Sequence, residues 1–347
     1  MHPSPAFAPG DLSCGPAAFP GLPPGRRVYP LSEHYRRRFG AKVYKVSVST
    51  AQSCPNRERL RGMRVCTFCD EWGSAAYPER RDHPLREQVR VGAERIGKRY
   101  GAARFLVYFQ AYTNTFQRIS RLEALYEEAL TLPQVAGIVV GTRPDCLPPV
   151  MIRQLAALAR TTYVSVELGL QTLDDAQLRW LSRGHDRKCS LAAVEALRQH
   201  AEVEVCAHLM FGLPGETDDQ LRDTARTLAA AGLHGVKLHN LHVLRGTPLE
   251  ELYRAGSFEP VTLSEYADKV ATFLEHLPPS IAVHRLSAVA SRWEDALAPA
   301  WVRHKLAPAQ AILDNLARRN TWQGRCLAQP SAPPAGVPVA QPEPSAA

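Results

Sequence analysis

The feature that most constrains this chain is a repeated alternation of short β-branched runs with longer amphipathic ones. Strands are predicted at 43–49, 105–109, 135–140, 163–169, 203–211, 235–239 and 281–285. Several are apolar on both faces, as a strand must be when helices cover the sheet on either side. Helical patterns fill the intervals. Ile119, Leu122, Leu125, Tyr126 and Ala129 fall on one face, as do Met151, Leu155 and Leu158. The clearest case is Leu263, Tyr266, Ala267, Val270, Phe273, Leu274 and Leu277. Thr217 caps a predicted helix over 218–231, with Asp218 and Asp219 in the first turn, where the helix dipole favours acids. The order β(αβ)n implies an α/β fold with a parallel sheet and right-handed crossovers. Six or seven such units predict a partial or nearly complete barrel. In either an open or a closed parallel sheet, chemistry collects at the carboxyl ends of the strands.

Residues 1–30 and 327–347 are proline-rich with little apolar periodicity, and are expected to be disordered tails. The expected organisation between them is a core barrel over 31–280 and a C-terminal extension over 281–326. No run of about eighteen apolar residues occurs, so no membrane span is expected. The N-terminus lacks a basic region followed by an apolar stretch, so it does not read as a secretory signal, and a cytoplasmic location is the default expectation.

Without a signal, a cysteine cluster in a chain of this length points to metal binding or catalysis rather than to a disulfide framework. Cys14, Cys146, Cys189, Cys206 and Cys326 are scattered and read as small buried hydrophobes or tail residues. Cys54, Cys66 and Cys69 are different: they follow the first strand with the spacing C-x11-C-x2-C, in TAQSCPNRERLRGMRVCTFC. Three thiolates leave one iron of a four-iron cluster without a protein ligand. Such an iron can chelate the amino and carboxylate groups of a methionine. Zinc is the rival metal, but a structural zinc site wants a fourth ligand, and His34 and His83 are not at finger-like spacing.

Beyond this loop the chain carries YFQAYTNT, VVGTRPDCLP, VELGLQT, LSRGHD, HLMFGLPGET and KLHNLHVLRGTPL, each just after a strand. Together these segments resemble the YhcC-like family of bacterial radical S-adenosyl-L-methionine (SAM) proteins. They are more distantly similar to the radical-SAM half of the Elongator catalytic subunit and to oxygen-independent coproporphyrinogen oxidase. The resemblance spans roughly 31–325. It implies a partial (β/α)6 TIM-type barrel with a C-terminal extension and a 4Fe-4S cluster on Cys54, Cys66 and Cys69. It also implies SAM as cosubstrate, a 5′-deoxyadenosyl radical, and an electron donor such as flavodoxin or ferredoxin. By the same resemblance Gln110, Tyr112 and Thr113 lie where the SAM amino group is met, and Gln171 where an amide contacts SAM. Arg183 suits the SAM carboxylate, with a salt bridge to Asp186 as the bland alternative. Gly212, in the GLPGET turn, lets backbone approach the adenine. Gly141 and His208 stand where the related proteins carry acids, two departures from the pattern. Glu167 is the substitute for the ribose hydroxyls, because a carboxylate inside an apolar strand is costly unless it is paired. His239 and His242 are the catalytic candidates, with core packing an equal reading; the same holds for His284 and Arg285.

The formal net charge is +8, with clusters at Arg36–Arg38, Arg80–Arg81 and Arg318–Arg319, and four arginines, Arg57, Arg59, Arg61 and Arg64, in the cysteine loop. Clustered arginine is compatible with phosphate binding, and the resemblance to the Elongator subunit implies uridine chemistry, so tRNA, modified at uridine, is the leading substrate and partner. Two alternatives stay open: an oxidase acting on an anionic small molecule, and an iron–sulfur sensor that binds SAM without turnover.

Overall fold

The computed structural model describes residues 19–73, 82–290 and 292–327. Cys14, Arg80 and Arg81, and the tail from 328 onward lie outside these residues. The strands are β1 (Val43–Val48), β2 (Arg104–Phe109), β3 (Val135–Thr142), β4 (Tyr163–Gln171), β5 (Val203–Phe211), β6 (Gly235–Asn240), β7 (Val243–Leu244), β8 (Ala282–Arg285) and β9 (Ala296–Ala298). Seven of them form one sheet in the order β1-β2-β3-β4-β5-β6-β8, and every pair is parallel. This is the curled, partial barrel that the alternation implies. The sheet takes seven strands, and the seventh, β8, comes from the segment assigned to the extension.

Alternation along the strands divides the core in two. One face of each strand, with Val46, Val107, Val140, Val166 and Val205 among its residues, packs outward against the helices. The other face looks into the curl. At its amino end, Tyr35 and Phe39 of the helix Leu31–Phe39 pack on Val43, Leu106, Tyr108, Val139 and Tyr163. The Tyr35 and Tyr163 rings meet edge-on at 6.1 Å. Further toward the carboxyl ends the inner face turns polar, and the site lies there.

The helix after the GLPGET turn runs Asp218–Ala230 and carries a reciprocal cap between Thr217 and Gln220. The Leu263–Glu275 helix is closed the same way by Thr262 and Glu265. Residues 19–30, expected in the tail, are tied to the C-terminal segment. Tyr29 N–H donates to Gln323 Oε1 at 2.9 Å, and the Phe19 and Trp322 rings lie 4.9 Å apart. Their prolines break periodicity without preventing packing, which is why composition misreads them. Three elements carry little periodic signal: the Leu31–Phe39 helix, the Ala307–Arg318 helix packed on Leu263–Glu275, and the antiparallel pair β7–β9.

One close approach fixes the sheet at its amino end. Gly137 has φ 152°, and a Cβ there would sit 2.2 Å from the Tyr163 carbonyl oxygen. Gly137→Ala is expected to lower unfolding free energy by about 1–3 kcal/mol. Gly97→Ala, in the helix Leu85–Tyr100, meets only the Ala102 carbonyl at 3.4 Å and should be neutral or stabilising by about 0.5–1 kcal/mol. Urea unfolding of both variants checks the pair; equal effects would contradict the assignment.

Candidate functional site

The loop after β1 holds Cys54, Cys66 and Cys69, and it is fastened on several sides. Asn56 is buried: its amide donates to the carbonyls of Arg64 and Ser182, the latter at 2.7 Å, and its oxygen accepts from Arg143. Thr67, between the last two cysteines, donates its N–H to Leu181 O at 3.1 Å and its hydroxyl to Trp180 O at 2.7 Å. Its carbonyl accepts from Leu249 N–H at 2.9 Å. Phe68 packs into a second apolar cluster with Trp180, Met210, Leu241 and Leu249. Arg57 turns inward, onto the Asp70 carbonyl and over the Tyr112 ring at 5.4 Å. Asp70 pairs with Arg292. Separations of 87 to 126 residues hide these links from the sequence; they join the loop to Arg143 after β3 through side chains and to the Trp180–Ser182 segment beyond β4 through backbone carbonyls.

The three cysteines line one cavity of about 190 Å³ at the carboxyl ends of the strands. Gln110, Tyr112, Thr113, Glu167, Gln171, Arg183, His239 and His242 line the same cavity, so eight of the nine SAM and catalytic candidates converge there. Gly212 does not. It sits at φ 87° in a turn where its N–H is capped by Glu216 at 2.9 Å, and a Cβ would meet Val261. Arg183 is not paired with Asp186, whose carboxylate caps the following helix at Cys189 N–H. Instead its two terminal nitrogens reach Gly169 O at 2.8 Å and Cys66 Sγ at 3.5 Å. Gly184 beside it is held by crowding: a Cβ would lie 2.6 Å from Arg143 Nη2 and Met63 Sδ. Tyr112, at φ 55°, donates its hydroxyl to Glu71 O at 2.7 Å and so braces the cysteine loop.

Glu167 lines the cavity, but its side chain is fully buried and both oxygens are engaged. One accepts from Lys45 and lies 3.4 Å from His284 Nδ1; the other accepts from Lys237 at 2.8 Å and faces His208 Nε2 at 2.6 Å. Burial alone would push this carboxyl up; Lys237, Lys45 and then His208 hold it well below the usual range. Lys45, Lys237, Tyr108, Asn56 and Arg143 are the residues that sequence reasoning passed over. Lys45 and Lys237 had a signal: each interrupts an apolar strand at an inward position, as Glu167 does. His239 and His242 stack at 5.1 Å, with His239 Nδ1 2.9 Å from Arg285 Nη2. Burial, then Arg285, pushes His239 well down, and burial pushes His242 down to about 4. Both rings are neutral near pH 7.

The thiols fit a metal cluster. They line one cavity, guanidinium groups of Arg183 and Arg57 lie 3.5 and 3.8 Å from the Cys66 and Cys69 sulfurs, and burial, then Cys66, pushes Cys69 up to about 12. Thiols so gathered carry thiolate charge only against a cation.

Residues 48–228 match the Radical SAM superfamily model, and 233–318 match the Radical_SAM C-terminal domain. The chain therefore belongs to the radical SAM superfamily and is a radical SAM enzyme. Within it the chain belongs with YtqA of Bacillus subtilis, 36% identical over 88% of this chain and 95% of that protein, and YhcC of Escherichia coli K12, 35% identical over 86% and 94%. A tRNA uridine(34) acetyltransferase of Dehalococcoides mccartyi is 29% identical over 46% of this chain, covering 36% of that protein. The fold is also similar to Elp3 of Methanocaldococcus infernus, with TM-score 0.62 at 18% identity, over 81% of this chain and 64% of that one. The cofactors of the superfamily are a 4Fe-4S cluster and SAM. Among the described residues no helix is long and apolar enough to cross a membrane.

The buried imidazoles give a pH prediction. Burial, ahead of neighbouring cations, pushes His208 down to about 4 and His185 and His284 down to about 3, and His242 is at about 4. Their folded values lie below the unfolded value of 6.5, so the unfolded chain binds protons that the folded chain refuses. Their contribution is whole above about pH 6.5 and is lost as pH falls toward 4 and 3. Each group adds up to about 1.4 kcal/mol per pH unit in that window. Urea unfolding at successive pH values should show the fall; equal stability at pH 7 and pH 5 would refute it.

Proposed function

We propose that this enzyme holds its 4Fe-4S cluster on Cys54, Cys66 and Cys69, binds SAM in the adjoining cavity, and acts on tRNA. The convergence of the three cysteines with Gln110, Thr113, Gln171 and Arg183 on one cavity carries the first two parts. The group that Cys54, Cys66 and Cys69 would hold would supply one electron for reductive cleavage of SAM to methionine and a 5′-deoxyadenosyl radical able to take a hydrogen from the substrate. The electron comes from a small reductant such as flavodoxin or ferredoxin.

The residues then divide the work. Arg183 already reaches the Cys66 sulfur and offers its guanidinium to a carboxylate beside the cluster. Gln110 and Thr113 offer acceptors to an ammonium group, and Gln171, at φ 69° at the end of β4, offers an amide. Glu167 keeps the cavity floor in place through its lysines and leaves the ribose to these neighbours.

The tRNA assignment rests on two supports. One is the likeness to a tRNA uridine(34) acetyltransferase. The other is the position of Arg59, Arg61 and Arg64: all three are exposed on the loop between Cys54 and Cys66 and pair with no acid among the described residues. Arg59 and Arg61 stand at φ 52° and 51°, a backbone that costs energy for these residues. A radical must form in contact with the hydrogen it abstracts, so substrate enters beside this loop. The basic clusters elsewhere are partly neutralised, as Glu33 pairs both Arg36 and Arg37.

Anaerobic reconstitution should give about four irons per chain, lost on replacing Cys54, Cys66 or Cys69 by Ala and kept on replacing Cys326. The reduced enzyme should yield 5′-deoxyadenosine. Arg183→Gln should keep the iron and weaken SAM binding by about 1.5–3 kcal/mol, the worth of a charge-assisted hydrogen bond. Unchanged SAM affinity would show that the cofactor lies elsewhere. Binding of tRNA should fall steeply with salt, and Arg59→Ala with Arg61→Ala should flatten the slope by about two ions. No tRNA affinity at low salt, with tight binding of a small anionic metabolite, would overturn the RNA assignment alone.

A further inference from the structure

The floor of the cavity carries more positive charge than its own acids answer. Lys45, Lys237 and Arg285 point into the curl from β1, β6 and β8. Glu167 is the one carboxylate they meet among the described residues. Lys45 and Lys237, 14% and 13% exposed, share it. Arg285 has no carboxylate. Its Nε donates to Leu238 O at 3.2 Å and its Nη2 lies 2.9 Å from His239 Nδ1, which leaves part of the guanidinium edge unused where it lines the cavity.

The surroundings do not supply a hidden counter-charge. His208, His239, His242 and His284 face this floor as neutral rings, able to donate or accept but not to carry negative charge. Tyr108 touches Lys237 at 3.1 Å through its hydroxyl, and burial raises its pKa well above the usual value, so it too stays neutral. Burial, unmatched by enough acid, presses Arg285 below its usual range and Lys237 down to about 8. Two cations in excess of one carboxylate, on side chains as little exposed as these, are expensive unless an anion arrives with the ligand.

We propose that Arg285, with Lys237 and the His239–His242 pair beside it, is an oxyanion subsite that holds a carboxylate or phosphate on the part of the substrate presented to the radical. Guanidinium suits this task, since its fork meets two oxygens of one planar or tetrahedral anion. The inference rests on the radical SAM reading of the same cavity and not on the RNA assignment. Arg59, Arg61 and Arg64 lie outside on the loop, whereas Arg285 lies on β8, at the edge of the parallel sheet. SAM brings a carboxylate of its own; Arg183, in contact with Cys66, is placed for that one. The subsite thus predicts a substrate whose reacting portion is itself acidic, whether it is a free metabolite or a group carried on a nucleoside.

The test uses the reconstituted holoenzyme saturated with SAM. Its melting temperature is followed during titration with sodium phosphate or sodium acetate, with sodium chloride at equal ionic strength as the reference. A ligand that binds only the folded state raises Tm by mass action. The expected result is a saturable rise with phosphate or acetate and none with chloride, abolished in Arg285→Gln and partly kept in Arg285→Lys. The anion giving the larger shift identifies a phosphate or a carboxylate source. No oxyanion-specific rise in the wild type overturns the proposal, a result that does not need any variant to fold. An equal rise in Arg285→Gln also overturns it, since the anion then binds elsewhere. So does a tenfold or greater loss of SAM affinity in Arg285→Gln, which would give the guanidinium to the cofactor. Failure of the wild type to form 5′-deoxyadenosine would instead count against the radical SAM assignment of the cavity.

Discussion

Glu167 is a single carboxylate with no exposed surface, and the inner half of the barrel is arranged around it. An ionised carboxylate in such a place costs several kcal/mol unless charges and donors are brought to it. They come from four other strands: Lys45 from β1, His208 from β5, Lys237 from β6 and His284 from β8. The sheet begins at β1 and ends at β8, so Lys45 and His284 stand on its two edges and meet at 3.2 Å. Side chains thereby span a gap that backbone hydrogen bonds do not. The Leu31–Phe39 helix plugs the same curl from below, and Tyr35 packs against the strands that carry these charges. Removing one partner of such a pair costs about 3–5 kcal/mol because the remaining charge is stranded. The network is therefore a constraint on curvature as much as a set of contacts.

The cysteine loop meets a different demand. Loops are mobile by default, yet a metal cluster needs fixed donors. Here most of the fastening is to backbone carbonyls. Asn56 reaches Arg64 and Ser182, Thr67 reaches Trp180 and Leu181, and Arg57 reaches Asp70. Carbonyl acceptors are present whatever side chain stands there, so the loop is held to the path of the chain after β4. Arg143 ties Asn56 to Asp145 at the end of β3, which links the loop to a third strand end.

Much of this was legible in the sequence. Periodicity located the seven sheet strands to within about two residues, because buried parallel strands are written as unbroken apolar runs. The cysteine spacing and the strand-end motifs led to a common cavity, because a parallel sheet gathers its strand ends on one side. What escaped was whatever depends on partners far apart in the chain. Lys45 and Lys237 looked like isolated charges until folding set them on Glu167, 122 and 70 residues away. Arg183 was weighed against its neighbour Asp186, but helix capping had already claimed that acid. Gly212 followed from a motif; its left-handed turn is capped by Glu216, and it is not among the residues that line the cavity.

The same contrast settles what a net charge of +8 says about this molecule. Taken in bulk it reports only a basic surface. Resolved residue by residue, the arginines fall into separate groups. Arg57, Arg143 and Arg183 are spent on backbone carbonyls, a carboxylate or a sulfur, and serve geometry. Arg36, Arg37, Arg90 and Arg254 answer acids one helical turn away, in exposed pairs that solvent screens. The arginines left without an acid among the described residues include Arg59, Arg61 and Arg64 outside the cavity mouth and Arg285 on its floor. Charge that the fold does not neutralise is free to meet a ligand's, and in this chain it stands both on the loop that carries the cysteines and within the cavity they line.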